Sequence, residues 1–332
     1  MRIGRPRQGG AHGEHATAAC LRQIHRAGVI AAAGGFGQAP MISTPAAAPT
    51  FDLQSHSTCS DGALAPADVV AAAAAAGVTL LALTDHDTVD GVDEALGVAR
   101  EHAIDLVPAV ELSTVDELGE DFHVLGYGID HTDAALARQL TLWRADRAAR
   151  IERMAGLLCD LGLAPDRDEL DARRAAGLPL GRPHLAAAAV AANRERLQAA
   201  GIAEPGAFLE AYLVPGRPAY SRRATPSVPE AIEAIHAAGG VAVWAHPFWD
   251  LASADDVRAA LERFKDAGMD GVEAFYATHD RGQTLLLSGL AAEHGLLTTG
   301  SADFHAPGHR VFSRFRAFEL HGCEPNLGPI AA

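Results

Sequence analysis

Short apolar runs alternate with segments of helical spacing along most of this chain. The first helical segment, residues 65–77, has Pro66 in its first turn and ends at Gly77, positions that suit a helix start and a helix stop. The following run, VTLLALTDHD at 78–87, is apolar almost throughout and carries charge only at its C-terminal end. This pattern indicates a parallel strand that is buried on both faces.

Seven strands are predicted in this way, and helical segments follow most of them. The first strand begins near residue 51, and the others cover 78–87, 105–114, 121–130, 241–248, 269–277 and 296–305. Only a few residues separate the third strand from the fourth, which is too short for a parallel crossover, so we expect these two strands to pair as a hairpin. Repeated strand and helix units favour an α/β barrel, and a total of seven strands predicts a distorted one.

A long helix is predicted over residues 133–161, between the fourth and fifth strands. Its apolar positions are spaced by threes and fours with one doubled step: Leu136, Leu140, Trp143, Ile151, Met154 and Leu158. This helix begins a helical insertion that divides the barrel. The predicted organisation is an N-terminal extension (1–48), a first barrel part (49–132), the helical insertion (133–220) and a second barrel part (221–332).

The chain is acidic, with a formal net charge of −15, although residues 1–50 contain five arginines and one acid. Non-specific binding to a nucleic-acid duplex needs a basic face that releases counterions, so this composition argues against a duplex-binding protein. A polyanion could enter only a local site where metals or arginines reverse the field.

The segment 1–48 contains a weak apolar run broken by glycines, which lacks the firm core of a signal peptide and the length of a membrane span. Since Met41 stands just before the first strand, we expect an overextended start or a disordered tail. The cysteines form no C-x-x-C pair and are typical of free thiols in a reducing compartment: Cys20, Cys59, Cys159 and Cys323. We therefore expect a cytoplasmic protein that does not bind membranes.

Acid and imidazole side chains stand at or near the ends of the predicted strands. They are His56, Asp61, His86, Glu111, His123, His246, Asp303 and His305, with Gln54 beside the first of them. A barrel brings such positions together at one rim. Because so many of these groups in one pocket would repel or lie unsatisfied without cations, the set predicts two or three divalent ions such as Mn, Fe, Zn or Mg.

Seven motifs resemble, in order, those of the PHP phosphoesterases, the polymerase and histidinol phosphatase family: FDLQSHSTCSDG, ALTDHDT, VELST, FHVLGY, GRPHLA, VAVWAHP and GSADFH. The resemblance implies a distorted seven-stranded (β/α) barrel of PHP type and a three-metal site. It assigns the first ion to Gln54, His56, Glu111 and Asp303. Glu111 would bridge to a second ion at His123 and His246, and a third ion would lie at Asp61, His86 and His305.

Gln54 departs from the family pattern, in which a histidine is usual at this position. An amide oxygen is a harder, weaker and uncharged ligand compared with an imidazole. The site of the first ion is therefore expected to be partly occupied or to prefer Mn or Mg to Zn.

Within the family the chain looks most like the nucleotide-directed branch, because GRPHLA stands inside the predicted insertion. The resemblance implies hydrolysis of nucleoside monophosphates, 3',5'-bisphosphates or the 5' ends of short single-stranded RNA through a metal-bound hydroxide. Arg182 would clamp a phosphate, and His184 would bind it or protonate the leaving oxygen. Weaker candidates for a second phosphate are Arg217, Arg222 and Arg223.

Three other functions remain open from the sequence. Histidinol-phosphate phosphatase is the first, and a degenerate, non-catalytic PHP module is the second, supported only by Gln54. The third is an amidohydrolase barrel, whose two-metal form commonly uses a carboxylated lysine; the single lysine here, Lys265, lies on a predicted helix, which argues against it.

Overall fold

The structure is a computed structural model that describes residues 49–116, 121–222 and 226–332. The predicted extension at 1–48, with Cys20 and Met41, lies outside the described residues, and so does Arg223. The expectations for these residues stay predictions.

The described residues form a seven-stranded sheet whose strands follow one another in chain order. The strands are β1 (Phe51–Asp52), β2 (Leu80–Leu83), β3 (Asp105–Val115), β4 (Asp121–Tyr127), β5 (Val241–Trp244), β6 (Gly271–Tyr276) and β7 (Leu297–Ser301). Neighbours pair in parallel except at β4, which is antiparallel to both β3 and β5. The predicted hairpin is therefore confirmed, and the start of β4 lies at the same rim as the ends of the other strands.

The first and last strands approach each other closely enough to almost close the sheet. The backbone N–H of Leu53 donates to the carbonyl of Gly300 at 3.1 Å, and Ser55 forms a parallel bridge with Phe304. The distorted seven-stranded barrel is thus confirmed. Its first strand is shorter than predicted, because regular pairing ends at Asp52 and the chain continues as loop through Gln54 and His56.

Eleven α-helices are described along the chain: α1 (Pro66–Ala75), α2 (Val92–Ala99), α3 (Ala134–Asp160), α4 (Asp168–Ala175), α5 (Arg182–Ala192), α6 (Arg194–Ala199), α7 (Pro205–Tyr212), α8 (Val228–Ala237), α9 (Pro247–Asp250), α10 (Ala254–Asp266) and α11 (Arg281–His294). Short-range sequence chemistry sets several of their ends. Ser227 and Glu230 form a reciprocal capping box at the start of α8, and Gly295 ends α11 in the left-handed conformation. No helix among the described residues has the length and apolar composition that crossing a membrane requires.

Helix α3 takes part in two hydrophobic cores. Its first apolar positions, from Leu136 to Trp143, pack into the barrel core, whereas Ile151, Met154 and Leu158 belong to a separate core built by α3 to α7. The change from one core to the other falls within α3, at the doubled step in its apolar spacing. The predicted domain boundary at residue 133 stays a prediction.

We expect Gly300→Ala to destabilise the barrel where it closes. A Cβ atom at this position would lie 2.6 Å from both the carbonyl oxygen and the Cβ of Phe275 in the neighbouring strand, and backbone atoms cannot move aside cheaply. Thermal or urea unfolding should show a loss of about 2 kcal/mol. Gly97→Ala is the matched control, because it lies in α2 with open space around it, and it should raise the free energy of unfolding by about 0.5–1 kcal/mol.

Candidate metal centre

Eight of the nine predicted ligands converge at the barrel rim, where strand ends and the loops after them place their side chains. They are His56 and Asp61 after β1, His86 after β2, Glu111 in β3, His123 in β4, His246 after β5, and Asp303 and His305 after β7. We expected Glu111 at or near the end of its strand, but it lies within β3. The reason is that β3 continues beyond the residues that pair with β2 and pairs there with β4. The side chains of His56 and Glu111 are completely buried.

A first group joins His56, Glu111 and Asp303. The Nε2 atom of His56 lies 3.0 Å from Oε2 of Glu111 and 3.1 Å from Oδ1 of Asp303. Within the described part of the chain, none of these three buried atoms has a hydrogen-bond partner. Metal bonds of about 2.1 Å at angles near 90–110° hold ligand atoms about 3.0–3.4 Å apart, so this spacing fits a shared cation.

A second group uses the other oxygen of Glu111. Its Oε1 atom lies 2.7 Å from Nδ1 of His123 and 3.3 Å from Nε2 of His246, and the two imidazole nitrogens are 3.2 Å apart. Each oxygen of Glu111 therefore faces a different group. This geometry suits a carboxylate that bridges two cations.

A third group is more open and centres on Asp61. Its Oδ2 atom lies 3.7 Å from Nε2 of His86. Its Oδ1 atom lies 3.6 Å from Nε2 of His305 and 3.7 Å from Nδ1 of His56. One ligand atom from each of these four residues can be chosen so that all lie within 4.8 Å of one another. The residues present can thus hold up to three cations.

Gln54 is buried beside these groups, but its carbonyl oxygen is already engaged. The hydroxyl of Ser301 lies 3.3 Å from Oε1 of Gln54 and 2.6 Å from Oε1 of Glu273. The amide nitrogen of Gln54 has no hydrogen-bond partner among the described residues. Oε1 is the one atom of Gln54 that can ligate a cation, and it keeps a second lone pair beside the contact to Ser301, so its role as a ligand stays a prediction.

Electrostatics set the protonation of the rim. Burial alone would raise the pKa of Glu111, but the imidazoles that face its two oxygens together hold it well below its usual range, so the carboxylate is ionised. Burial lowers the pKa of His86 to about 3, which leaves its imidazole neutral. Burial acts in the same direction on His56, yet the negative charges of Asp303 and Glu111 close to its ring raise its pKa well above the usual value. Protons and cations therefore compete for His56, and metal affinity should fall as the pH falls.

Two residues that orient the predicted ligands were not predicted from the sequence. The hydroxyl of Tyr276 donates to Oδ2 of Asp303 at 2.8 Å, and the backbone N–H of His246 donates to Oε2 of Glu273 at 2.9 Å. Tyr276 and Glu273 both lie in β6, where a buried glutamate within the run GVEAFY was the available signal. Such outer contacts fix the orientation of ligands and tune metal affinity.

Left-handed backbone conformations occur at three residues of this region. The φ angles are 55° at Asp87, 29° at His246 and 52° at Asp303. Non-glycine residues in this region cost on the order of 1 kcal/mol each and persist only where the surroundings enforce them. Here the chain turns sharply at the strand ends and thereby directs these side chains toward the rim.

A cavity of about 120 Å³ opens beside the third group. Its walls include Asp61, His86 and His123 from the rim, Ser113 and Asp121 from the hairpin, and three arginines from the helical insertion, Arg147, Arg150 and Arg182. Arg150 and Arg182 both contact Oδ2 of Asp121, at 3.1 and 3.2 Å. Arg147 also pairs with Asp87, so the three guanidinium groups face three carboxylates, and the cavity suits a phosphate through the N–H donors that these ion pairs leave over.

Arg147 and Arg150 were missed by the sequence analysis, although a signal was present. They occupy the doubled step between Trp143 and Ile151, where helical spacing places a side chain on the buried stripe of α3. Arg147 Nη1 donates to Oδ2 of Asp87 at 2.6 Å and to Oγ of Ser113 at 2.7 Å. An arginine in phase with an apolar stripe indicates a buried polar partner.

The other predicted phosphate-binding residues do not line the cavity among the described residues. His184 is not one of the described residues that line the cavity, and its Nδ1 accepts the backbone N–H of Gly181 at 3.0 Å. Burial, helped by Arg173, lowers the pKa of His184 to about 4, so the ring is neutral with its proton on Nε2. Arg217 and Arg222 are exposed and lie outside the cavity lining.

Lys265 is exposed on α10 and therefore cannot bridge two metals at the rim.

The chain is similar to known phosphoesterases over most of its length. The PHP domain family model matches residues 52–157. A 5'-3' exoribonuclease of Haemophilus influenzae is 35% identical over 257 residues, 77% of this chain and 90% of that protein. A 3',5'-nucleoside bisphosphate phosphatase of Chromobacterium violaceum is 35% identical over 261 residues, 78% of this chain and 88% of that protein.

Solved structures are similar over the same extent. A C. violaceum protein described as an amidohydrolase with bound sulfate has a TM-score of 0.68 and 32% identity, covering 80% of this chain and 90% of its own. A metal-dependent phosphoesterase from Bifidobacterium adolescentis has a TM-score of 0.66 and 29% identity, covering 79% of this chain and 89% of its own.

We expect Glu111→Gln to reduce bound metal more than any change to a ligand of a single group. Glu111 serves two groups, whereas His305 serves only the third, so Glu111→Gln should lose about two ions per chain and His305→Ala about one. Elemental analysis of the purified proteins measures this directly. His131→Ala is the control, because His131 pairs with Asp93 outside these groups. Equal losses from the two ligand variants would show that Glu111 does not bridge.

Proposed function

This chain belongs to the PHP domain family and is a hydrolase acting on phosphoric esters, and we propose that its substrates are nucleotides that carry more than one phosphate. The observation that supports this proposal is the arginine-lined cavity beside the metal groups. One phosphate can lie at the metal groups while a second enters the cavity. A nucleoside 3',5'-bisphosphate and a 5'-phosphorylated short RNA both have that form, as the names of the two relatives suggest.

The proposed cofactors are three divalent ions, with Mn, Mg, Fe or Zn all compatible with oxygen and imidazole ligands. Such ions neutralise phosphate charge and activate water near neutral pH. Glu111, with one oxygen facing each of two groups, would hold two of the ions. Asp61, His86 and His305 would hold the third, beside the cavity that Asp61 and His86 line.

The chain's own groups then bind and orient the substrate. Arg182 and Arg150 already lie side by side on Asp121, which positions their remaining N–H groups for a phosphate oxygen. Arg147 is fixed by Asp87 and Ser113 on the same cavity wall. His184, as a neutral ring with Nε2–H, is suited to donate a hydrogen bond rather than to supply a proton to a leaving group.

The acidic chain and its free thiols support two further parts of the proposal. A net charge of −15 disfavours binding of long duplexes, so the RNA substrate is short and single-stranded. Among the described residues, Cys59, Cys159 and Cys323 are free, as expected for a cytoplasmic enzyme.

Activity on a substrate panel tests the proposal. Purified enzyme with added Mn should hydrolyse adenosine 3',5'-bisphosphate or 5'-phosphorylated RNA with a higher kcat/KM than AMP, 5'-hydroxyl RNA or histidinol phosphate. A preference for histidinol phosphate would replace this function with the alternative left open by the sequence. Activity on none of these substrates, in a protein that retains its metals, would support a non-catalytic module.

We expect Arg182→Ala to lower kcat/KM for the bisphosphate by about 10- to 100-fold, because a charge-assisted hydrogen bond to phosphate is lost. Metal content should not change, since a guanidinium cannot ligate a cation. Arg150 remains on Asp121 and prevents that carboxylate from being left unpaired. Arg258→Ala, at an exposed position of α10, is the control. Loss of metal from Arg182→Ala would mean that Arg182 has a structural role.

A further inference from the structure

A row of aromatic rings leads from the metal groups to the protein surface. We call it the aromatic strip; it consists of His305, His309, Phe312 and Trp249. The ring of His305 lies 5.6 Å from that of Phe312, which lies 5.4 Å from that of Trp249, measured between ring centroids. His309 stacks against both His305 and Phe312, at 5.7 and 5.1 Å. One end of the strip is thus a residue of the third metal group.

Trp249 is the exposed end of the aromatic strip. More than half of its surface, 55%, is accessible, whereas the two other tryptophans, Trp143 and Trp244, are 3% and 0% exposed. It lies in α9, directly after the rim residue His246, and its backbone N–H donates to the carbonyl of His246 at 2.8 Å. A large, half-exposed ring is therefore held next to the metal groups, with Phe312 beside it and the rest of its surface open to a ligand.

The other rings are fixed by the loop that follows β7. The backbone N–H of His305 donates to the carbonyl of Phe312 at 3.0 Å, and the N–H of Phe312 donates to Nδ1 of His309 at 2.9 Å. The planes of His309 and Phe312 are only 13° from parallel. These flat surfaces are arranged before any ligand arrives, which reduces the entropy lost on binding.

The aromatic strip and the arginine cavity belong to different parts of the rim. The strip is built by segments after β5 and β7, whereas the cavity is built by β3, β4, the insertion and the loops after β1 and β2. Asp61 connects the two, because it lines the cavity and lies 3.6 Å from His305. A ligand bound at the metal groups can therefore reach the cavity with one part and the strip with another.

We propose that the aromatic strip is a nucleobase site, in which the base of the substrate stacks on Trp249 and His309 while its phosphates lie at the metal groups and the arginine cavity. This inference rests on the proposed function. Every base has a flat π face, so stacking without base-edge hydrogen bonds tolerates any sequence. The enzyme should therefore favour nucleotides over phosphorylated sugars and discriminate little between adenine and guanine, or between cytosine and uracil, which have equal stacking areas.

The test compares AMP with ribose 5-phosphate, which lacks the base, in the metal-loaded wild type, in Trp249→Ala and in Trp249→Phe. In the wild type, AMP should have the lower KM. Trp249→Ala should raise the KM for AMP by roughly tenfold, which lies within the range for the loss of one stacked base. The KM for ribose 5-phosphate should not change. Trp249→Phe should restore most of the difference. Leu142→Ala, another exposed apolar position at 64%, is the control and should change neither KM.

Tryptophan fluorescence gives a second readout that does not depend on turnover. Since Trp143 and Trp244 are buried, quenching by added adenosine reports on Trp249, and it should disappear in Trp249→Phe. Two results together would overturn the base site: the wild type hydrolyses nucleotides but shows no quenching, and Trp249→Ala changes the KM for AMP and the KM for ribose 5-phosphate equally. A wild type that hydrolyses sugar phosphates but not nucleotides would instead contradict the proposed function.

Discussion

The arrangement of the rim depends on the complete burial of one carboxylate, Glu111. A buried carboxylate is strongly unfavourable unless charge and hydrogen-bonding groups surround it. Its Oε1 faces His123 and His246, and its Oε2 faces His56 and His86 at 3.0 and 3.5 Å. Each of these imidazoles lies in or after a different strand of the barrel. The imidazoles therefore surround the carboxylate of Glu111 only because the sheet is almost closed.

The antiparallel hairpin is what brings the centre of this site together. Glu111 and Ser113 share one face of β3 because side chains alternate along a strand, and Ser113 pairs directly with His123 of β4. In a purely parallel barrel the start of a strand lies at the opposite end of the sheet from the active rim. Reversing β4 therefore places His123 at the same rim as Glu111, within 2.7 Å of it.

Helix α3 links metal binding to phosphate binding. It packs on the barrel core with its first half and on the insertion core with its second half, and Arg147 and Arg150 occupy the change between them. Each arginine compensates a carboxylate near the rim, Asp87 or Asp121, at 2.6 and 3.1 Å. The same ion pairs that secure the insertion to the barrel thus build the cavity wall, so stability and substrate binding depend on shared residues.

The amino-acid pattern was enough to predict the seven strands, the hairpin and the eight acid and imidazole residues at the rim, because most of the apolar runs end in polar residues that mark strand ends. The contacts of Gln54 with Ser301, of Tyr276 with Asp303 and of Arg147 with Asp87 became known only from the folded chain. These contacts join residues far apart along the chain, and local periodicity shows which face of an element is buried but not which element it meets. For the same reason the aromatic strip, whose rings follow two different strands, becomes visible only when the barrel closes.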